Sequence, residues 1–517
     1  MRPWFEPSPH LRNTIQIRDI FPDFASQRKD TMKTDLQKAR ILLFLFWLLC
    51  GSSGKIWIGS RARRGESWGG CPSIPNGVNF RKKIVQCPAA DLAWKAQSTE
   101  DGPNLARLQK RRRGRMYTSK ELMEMEHKYG AHNYHPLEVV ISKAEGIWVE
   151  DPEGRRYMDM LSAYSAVNQG HRHPKIIKAL KDQADLVTLT SRAFYNDRWP
   201  LFAKKLAEFV GKDMVLPMNT GAEAVETAIK TMRKWGYLVK GVEQDKAEII
   251  VFEENFHGRT TTIISFSVDP DARDHYGPYT PGFVIVPYDD LEAVKRAVNK
   301  NTVGILVEPI QGEAGIRVPS DGFLKGLERI CRENNVLLAV DEVQTGFCRT
   351  GKTFAFQHEG VDPDIIIMGK ALGGGVFPVS AVAANENVLG VFKPGTHGST
   401  FGGNPLACAV AMAAIDVLVE EKLADRAAEL GKYFMEGLRA IQAKTDKIKE
   451  VRGKGLLIGL VLNESAGKAR IYTTALKDKG LLCKETHSWI IRFAPPLVIT
   501  KEEIDRALKM IEEVFVG

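Results

Sequence analysis

The sequence has no Cys-x-x-Cys pair. Its seven cysteines are scattered, three before residue 115 and four after it. That distribution argues against a disulfide framework or a structural zinc site and fits a reducing compartment. There is also no apolar run of the ~20 residues that a membrane-spanning helix needs; the stretch Ile41–Cys50 covers only ten. Neither zinc-finger spacing nor an aromatic-interleaved RNA motif accompanies the formal charge of +9. The excess is local, because residues 1–115 hold 22 Lys+Arg against 9 Asp+Glu, a surplus of 13 that leaves −4 for the remainder. No nucleic acid and no stable membrane association are therefore expected. The cluster Arg111–Arg115 reads as part of a solvated leader or a processing site.

Residues 1–115 lack the repeated patterning of the rest and are read as a basic leader, poorly ordered or processed. Read from Met32, the apolar run resembles a secretory signal. The Arg-rich composition also suits organelle import, although nine acidic residues weigh against it. A downstream start, leaving a cytosolic protein, is a third reading.

Beyond the leader the chain alternates strand and helix patterns, as a mostly parallel α/β sheet requires. Ala247–Phe252 and Val303–Pro309 read as strands, and Leu291–Val298 and Phe323–Asn334 as helices. Two further apolar runs each end in a charge: Val336-Leu-Leu-Ala-Val-Asp341-Glu-Val-Gln344 and Asp364-Ile-Ile-Ile-Met-Gly-Lys370. Runs of this length suit parallel strands buried on both faces, which puts the charges at the strands' carboxyl ends, the edge where open α/β sheets bind ligands. A lysine and an aspartate meeting there fit pyridoxal phosphate, the lysine forming a Schiff base and the carboxylate holding the pyridinium nitrogen. Taken singly, Asp341 reads more readily as a turn cap and Lys370 as a solvated strand end.

The neighbouring segments favour the cofactor. Lys370 runs into Ala-Leu-Gly-Gly-Gly375-Val-Phe-Pro378, which lets backbone approach a ligand and turn sharply. Asn219-Thr-Gly221-Ala222-Glu-Ala-Val-Glu opens a helix whose free N–H groups and dipole favour a phosphate. His397-Gly-Ser399-Thr400-Phe-Gly-Gly403-Asn404-Pro405 is a second hydroxyl-and-glycine loop before an alanine-rich helix. Either loop alone is as readily an ordinary helix cap.

With these segments go Tyr129-Gly-Ala-His-Asn-Tyr134-His-Pro, Leu161-Ser-Ala-Tyr164-Ser-Ala-Val-Asn-Gln-Gly-His171 and Asn255-Phe256-His-Gly-Arg259-Thr. Glu308-Pro-Ile-Gln-Gly-Glu313-Ala-Gly and Ile490-Ile-Arg492-Phe-Ala-Pro-Pro follow. In this order they resemble the ornithine aminotransferases, a branch of the fold-type I, class III pyridoxal-phosphate aminotransferases, from about residue 117 to the end. The resemblance implies a large cofactor domain at 165–410 and a small α+β domain built from 116–164 and 411–517. It implies a homodimer in which Ser399 and Thr400 serve the partner's cofactor phosphate. Gly221, Ala222, Phe256, Asp341, Gln344 and Lys370 would bind the cofactor, with Phe256 on the ring face and Gln344 at the phenolic oxygen. Lys370 and Asp341 would be catalytic, and no metal is implied.

On the substrate side, the resemblance implies that Arg259, helped by Tyr134, holds the α-carboxylate of ornithine while Glu313 occupies Arg492. With 2-oxoglutarate, Glu313 would release Arg492 to the α-carboxylate and Arg259 would take the distal one. Tyr164 would line the ornithine pocket. The implied reaction gives L-glutamate 5-semialdehyde, which cyclises to pyrroline-5-carboxylate, and L-glutamate. Acetylornithine or 4-aminobutyrate aminotransferase is the alternative; a non-catalytic scaffold is opposed by Lys370 and Asp341, and a nucleic-acid binder using the basic leader is tested by salt-dependent binding of protein lacking residues 1–115. The family suggests the mitochondrial matrix, with the cytoplasm as alternative. Relatives often carry cysteine in the Gly-His-x-His segment; here Arg172 stands there, so redox control at that position is not expected.

Overall fold

The computed structural model describes residues 117–517. The readings of residues 1–115, including Ile41–Cys50 and Arg111–Arg115, lie outside the described residues. The central sheet has seven strands, β1 (Met214–Met218), β2 (Glu248–Phe252), β3 (Phe283–Val286), β4 (Thr302–Val307), β5 (Leu337–Asp341), β6 (Ile365–Met368) and β7 (Ser380–Ala384). Their spatial order is β1-β7-β6-β5-β4-β2-β3. Only β7 runs against the others.

Side chains alternate between two cores. Leu338 and Val340 of β5 enter one, Leu337 and Ala339 the other. Because both faces are covered, neither set can be polar, which is why the strands read as unbroken apolar runs. The helix Gly221–Trp235 covers one face with Val225, Ile229 and Met232. Its close approach needs Gly304 in β4, where a Cβ would stand 2.1 Å from Met232 Sδ. The opposite face carries the helix Phe323–Asn334, which buries Phe323, Leu327, Ile330 and Cys331 at helical spacing. Each such aliphatic or aromatic side chain contributes about 1.5–3 kcal/mol.

Two four-stranded sheets complete the molecule. In one, Lys143–Glu145, Trp148–Glu150 and Arg156–Asp159 form an antiparallel meander to which Leu481–Leu482 adds in parallel, so the two ends of the described chain share a sheet. In the other, Ile448–Lys454, Leu457–Leu462, Ile490–Phe493 and Lys484–Thr486 are antiparallel and carry Arg492. The boundary expected at 410/411 falls inside the helix Pro405–Glu420, whose alanine-rich sequence offers no change of composition at which to place a break. Among the described residues, no helix is long and apolar enough to cross a membrane. The cysteines there, Cys331, Cys348, Cys408 and Cys483, are all buried and free, and burial pushes the Cys348 and Cys408 thiols up to about 12. Packed thiols of this kind are poor nucleophiles.

Candidate active site

Five segments leave the sheet at one edge, the carboxyl ends of β1, β2, β4, β5 and β6, and they carry Gly221, Phe256, Glu308, Asp341 and Lys370 respectively. A cavity of about 190 Å³ lies between them, walled also by Ala222, His257, Gly258, Val343 and Gln344. A second cavity of about 500 Å³ shares Phe256, His257 and Gly258 with it and extends to Tyr164, Arg259, Glu313 and Arg492. The parallel topology thus gathers residues as far apart as Gly221 and Lys370, 149 positions, without any local sequence signal linking them.

At the centre, Asp341 Oδ2 accepts from His257 Nδ1 at 2.7 Å and Oδ1 from the Val343 backbone N–H at 3.0 Å. Burial alone would disfavour the His257 cation. The hydrogen bond and charge of Asp341, with Glu308 beyond, outweigh it and raise the imidazole above its ordinary value. Glu308 is pushed up to about 7 by burial. Its two oxygens accept from the backbone N–H groups of Phe256 at 3.0 Å and Gly312 at 3.3 Å, holding both walls of the cavity. Lys370 begins a short 3-10 turn, Lys370–Gly373, two residues past β6. Its φ of 46° is left-handed, a conformation costing about 1–2 kcal/mol for a side-chain-bearing residue. Burial holds its amine below the usual range, against the opposing pull of Glu313 and Asp341.

At the other end of this cavity, Thr220 caps the helix Gly221–Trp235 in a reciprocal box with Glu223. The carboxylate of Glu223 is turned back onto the N–H groups of Asn219 and Thr220. The N–H groups of Gly221 and Ala222 belong to the first helical turn, which has no intrahelical acceptors. At Gly258, a Cβ would come within 2.8 Å of the Ala222 Cβ, so that loop closes directly over the helix start. Ser399 accepts from Asn219 Nδ2 of its own chain at 2.8 Å, and Thr400 is exposed.

The outer cavity is built around a bidentate pair. Arg492, 1% exposed, donates from Nη1 to Glu313 Oε1 at 2.6 Å and from Nη2 to Oε2 at 2.8 Å. Gln344 bridges both partners, donating to Glu313 and accepting from Arg492. Gly312 makes room for this, since a Cβ there would fall 1.9 Å from Gln344 Oε1. Burial raises Glu313, but the charge and hydrogen bonds of Arg492 outweigh it and bring the carboxyl down to about 2. A depressed pKa contributes stability that is present above the ordinary carboxylate range and is lost only as pH falls toward about 2. Tyr164 lies 5.0 Å over the Arg492 guanidinium. It sits on four successive left-handed residues, Ser162 to Ser165, with φ of 44°, 48°, 59° and 70°.

Arg259 is exposed and lies 5.8 Å from the Phe256 ring. Among the described residues it forms no ion pair, in contrast to Arg492. Tyr134 is not brought into either cavity: it is 75% exposed on the segment after the helix Ser119–Tyr129 and lines a separate surface hollow. It is still near enough to act electrostatically on Tyr164. Sequence reasoning missed His257, Glu308 and the left-handed turn. The signal for Glu308 was present, because Val303-Gly-Ile-Leu-Val-Glu308 is an apolar run ending in a carboxylate, as the Asp341 strand is.

A helix start for a phosphate, a carboxylate oriented by a buried imidazole, a flanking aromatic ring and a buried amine together fit pyridoxal phosphate. They define an aminotransferase-type site on a mostly parallel α/β fold. The chain belongs to the class-III aminotransferases, whose family model, "Aminotransferase class-III", matches residues 129–515. It is 62% identical to the ornithine aminotransferase of Geobacillus sp. (strain WCH70) over 402 residues, which is 78% of this chain and 100% of that one. Among solved structures, an ornithine aminotransferase from Toxoplasma gondii with partial occupancy of pyridoxal phosphate at its active site matches with a TM-score of 0.78. It is 46% identical, over 79% of this chain and 97% of that one. An acetylornithine aminotransferase from Elizabethkingia anophelis matches with a TM-score of 0.71 and 51% identity, over 78% of this chain and 100% of that one.

Proposed function

We propose that the protein transfers the δ-amino group of L-ornithine to 2-oxoglutarate, giving L-glutamate 5-semialdehyde and L-glutamate. The observation that carries this reading is the asymmetry of the two arginines, one closed by Glu313 and one open. A substrate whose only carboxylate lies far from its reacting amine pairs with the open Arg259 and leaves the Arg492–Glu313 pair intact. A dicarboxylate occupies Arg259 and displaces Glu313 from Arg492. Because Glu313 stays ionised down to about pH 2, protonation does not open the pair at working pH. Competition from a second carboxylate, itself able to bind the guanidinium bidentately, does.

When bound, pyridoxal phosphate supplies an aldehyde that takes up the amino group and a ring that accepts the electron pair released at carbon. Asp341, oriented by His257, would hold the proton of the ring nitrogen. Phe256 would hold the ring by stacking, and the N–H groups of Gly221 and Ala222 would bind the phosphate. The Lys370 amine, kept less basic by burial, takes the proton from the amine-bearing substrate carbon. Gln344 serves the phenolic oxygen as well as the Arg492 pair. Exposed Phe194, Tyr195 and Phe401 support a homodimer in which Ser399 and Thr400 reach the partner's phosphate site. The family resemblance supports the mitochondrial matrix as the compartment, with the cytoplasm as the alternative.

The 51% identity to an acetylornithine aminotransferase favours that activity as the second reading. Steady-state rates with ornithine, N-acetylornithine and 4-aminobutyrate as donors to 2-oxoglutarate test the assignment. Ornithine is expected to give the highest kcat/KM, and a higher value for either competitor overturns it.

Glu313→Ala leaves Arg492 permanently open. Glutamate then presents its α-amine more readily, and ornithine binds in the wrong sense through its α-carboxylate. Losing charge-assisted hydrogen bonds of about 1.5–3 kcal/mol lowers the ratio of ornithine to glutamate half-reaction rates by roughly ten- to a hundredfold. Single-turnover kinetics with each donor measures it, and equal slowing of both reduces Glu313 to a packing partner of Arg492.

A further inference from the structure

Among the described residues, Arg349 is the largest polar side chain with no exposure at all, and it forms no ion pair there. Its partners are neutral: Nη1 donates to the carbonyls of Leu456 at 3.0 Å and Pro495 at 2.6 Å, and Nη2 to Ser162 Oγ at 3.0 Å and to Asn168 Oδ1. Its Nε has no partner. Burial lowers its pKa to about 9. A cation held this way costs stability that a packed apolar side chain would not, so the geometry it enforces is the point of interest.

That geometry joins three parts of the site. Ser162 begins the left-handed turn that carries Tyr164, and its hydroxyl donates onward to the Ala494 carbonyl at 2.6 Å. Asp159 Oδ1 accepts the N–H groups of Leu161 and Ser162 and fixes the turn from its other side. Ala494 and Pro495 follow the strand Ile490–Phe493, two and three residues after Arg492. Arg349 itself stands five residues after Gln344, in the loop that leaves β5.

We propose that Arg349 is a positioning residue for substrate discrimination: by fastening the Tyr164 turn to the segment after Arg492, it sets the spacing between Tyr164 and the Arg492–Glu313 pair. This rests on the reading of that pair as the element that sorts one-carboxylate from two-carboxylate substrates. A planar fork with donors on both arms spans four acceptors, which an ammonium cannot reproduce. With the fork removed, the turn relaxes from its left-handed conformation, Tyr164 leaves the guanidinium, and Arg492 becomes easier to reach.

The test is Arg349→Lys in the holoenzyme, with single-turnover rates for ornithine and glutamate, cofactor affinity and thermal melting measured side by side. The ornithine-to-glutamate rate ratio is expected to fall about tenfold while cofactor affinity changes by less than about threefold. Adding Tyr164→Ala to Arg349→Lys is expected to change the ratio little further, because both act through one turn. Equal slowing of the two half-reactions, loss of cofactor in proportion to rate, or full additivity with Tyr164→Ala overturns the proposal. If Arg349→Lys does not fold, Ser162→Ala, which removes one acceptor and the bridge to Ala494, decides: a lowered ratio supports the link and an unchanged ratio overturns it. If the wild type prefers another ω-amine donor, the ratio of that donor to glutamate is read in the same way, so the function and the positioning role fail separately.

Discussion

Lys370→Ala is expected to abolish transamination while the protein still folds and still retains its cofactor. The amine at this position lies at the inner end of the site, where the charges of Glu313, Asp341 and Arg492 all reach it. Nothing else on the cavity wall can replace it as a mobile base. His257 is committed to Asp341 at 2.7 Å, and Glu308 holds two backbone N–H groups. Removing a positioned general base costs about 10²–10⁴ in rate, and losing the covalent role proposed for the lysine would add to that. Retention is expected because the N–H groups of Gly221 and Ala222, the Asp341 carboxylate and the Phe256 ring are untouched. Alanine keeps the Cβ that disfavours the left-handed backbone at this position, but it removes an amine whose charge burial disfavours, so thermal stability should not fall. Cofactor content, melting temperature and single-turnover rate with ornithine check the three parts together. Turnover within tenfold of wild type would remove Lys370 from the chemistry.

The parts of this site that were legible in the sequence are those in which chemistry and local pattern coincide. Asp341 and Lys370 stand out because a charge ends an apolar strand, and the Gly221 helix start because capping residues precede a helical pattern. Gly221, Ala222, Phe256, Gln344 and Lys370 do line one cavity, and Tyr164, Arg259, Glu313 and Arg492 the next. What was not legible depends on contacts between distant segments. His257 lies in a loop whose sequence says nothing of its being 4% exposed against a strand 84 residues away. The turn at Ser162–Ser165 has no glycine to announce four left-handed residues; it is held by Asp159, Arg349 and the Ala494 carbonyl, all outside it. Tyr134 shows the converse. Its motif was conspicuous, yet the single chain leaves it exposed because nothing in that segment packs it inward.

Asp341→Ala tests the remaining strand-end charge, and its effect should be nearly as large. The carboxylate has two constraints in the protein, the His257 imidazole and the Val343 N–H, so its orientation is fixed before any ligand arrives. Preorganised charge of this kind, aimed at a proton on a ring nitrogen, is worth about 10²–10³ in rate when removed. Cofactor affinity should fall as well, in contrast to Lys370→Ala, because the lost group is the one proposed to pair with the ring nitrogen. Asp341→Asn separates the two effects: the amide oxygen can still accept one hydrogen bond, but the negative charge is gone. In the wild type the raised pKa of His257 contributes stability that is fully present below the ordinary imidazole range and is lost as pH rises through the folded value. In Asp341→Asn the support for that cation disappears while its burial remains, so the variant should lose melting temperature most on the acid side of neutrality and approach wild type above it. Parallel melting curves of the two apoproteins across that range would show that Asp341 does not hold His257 charged, and an unchanged single-turnover rate with ornithine would show that it does not support the proton of the ring.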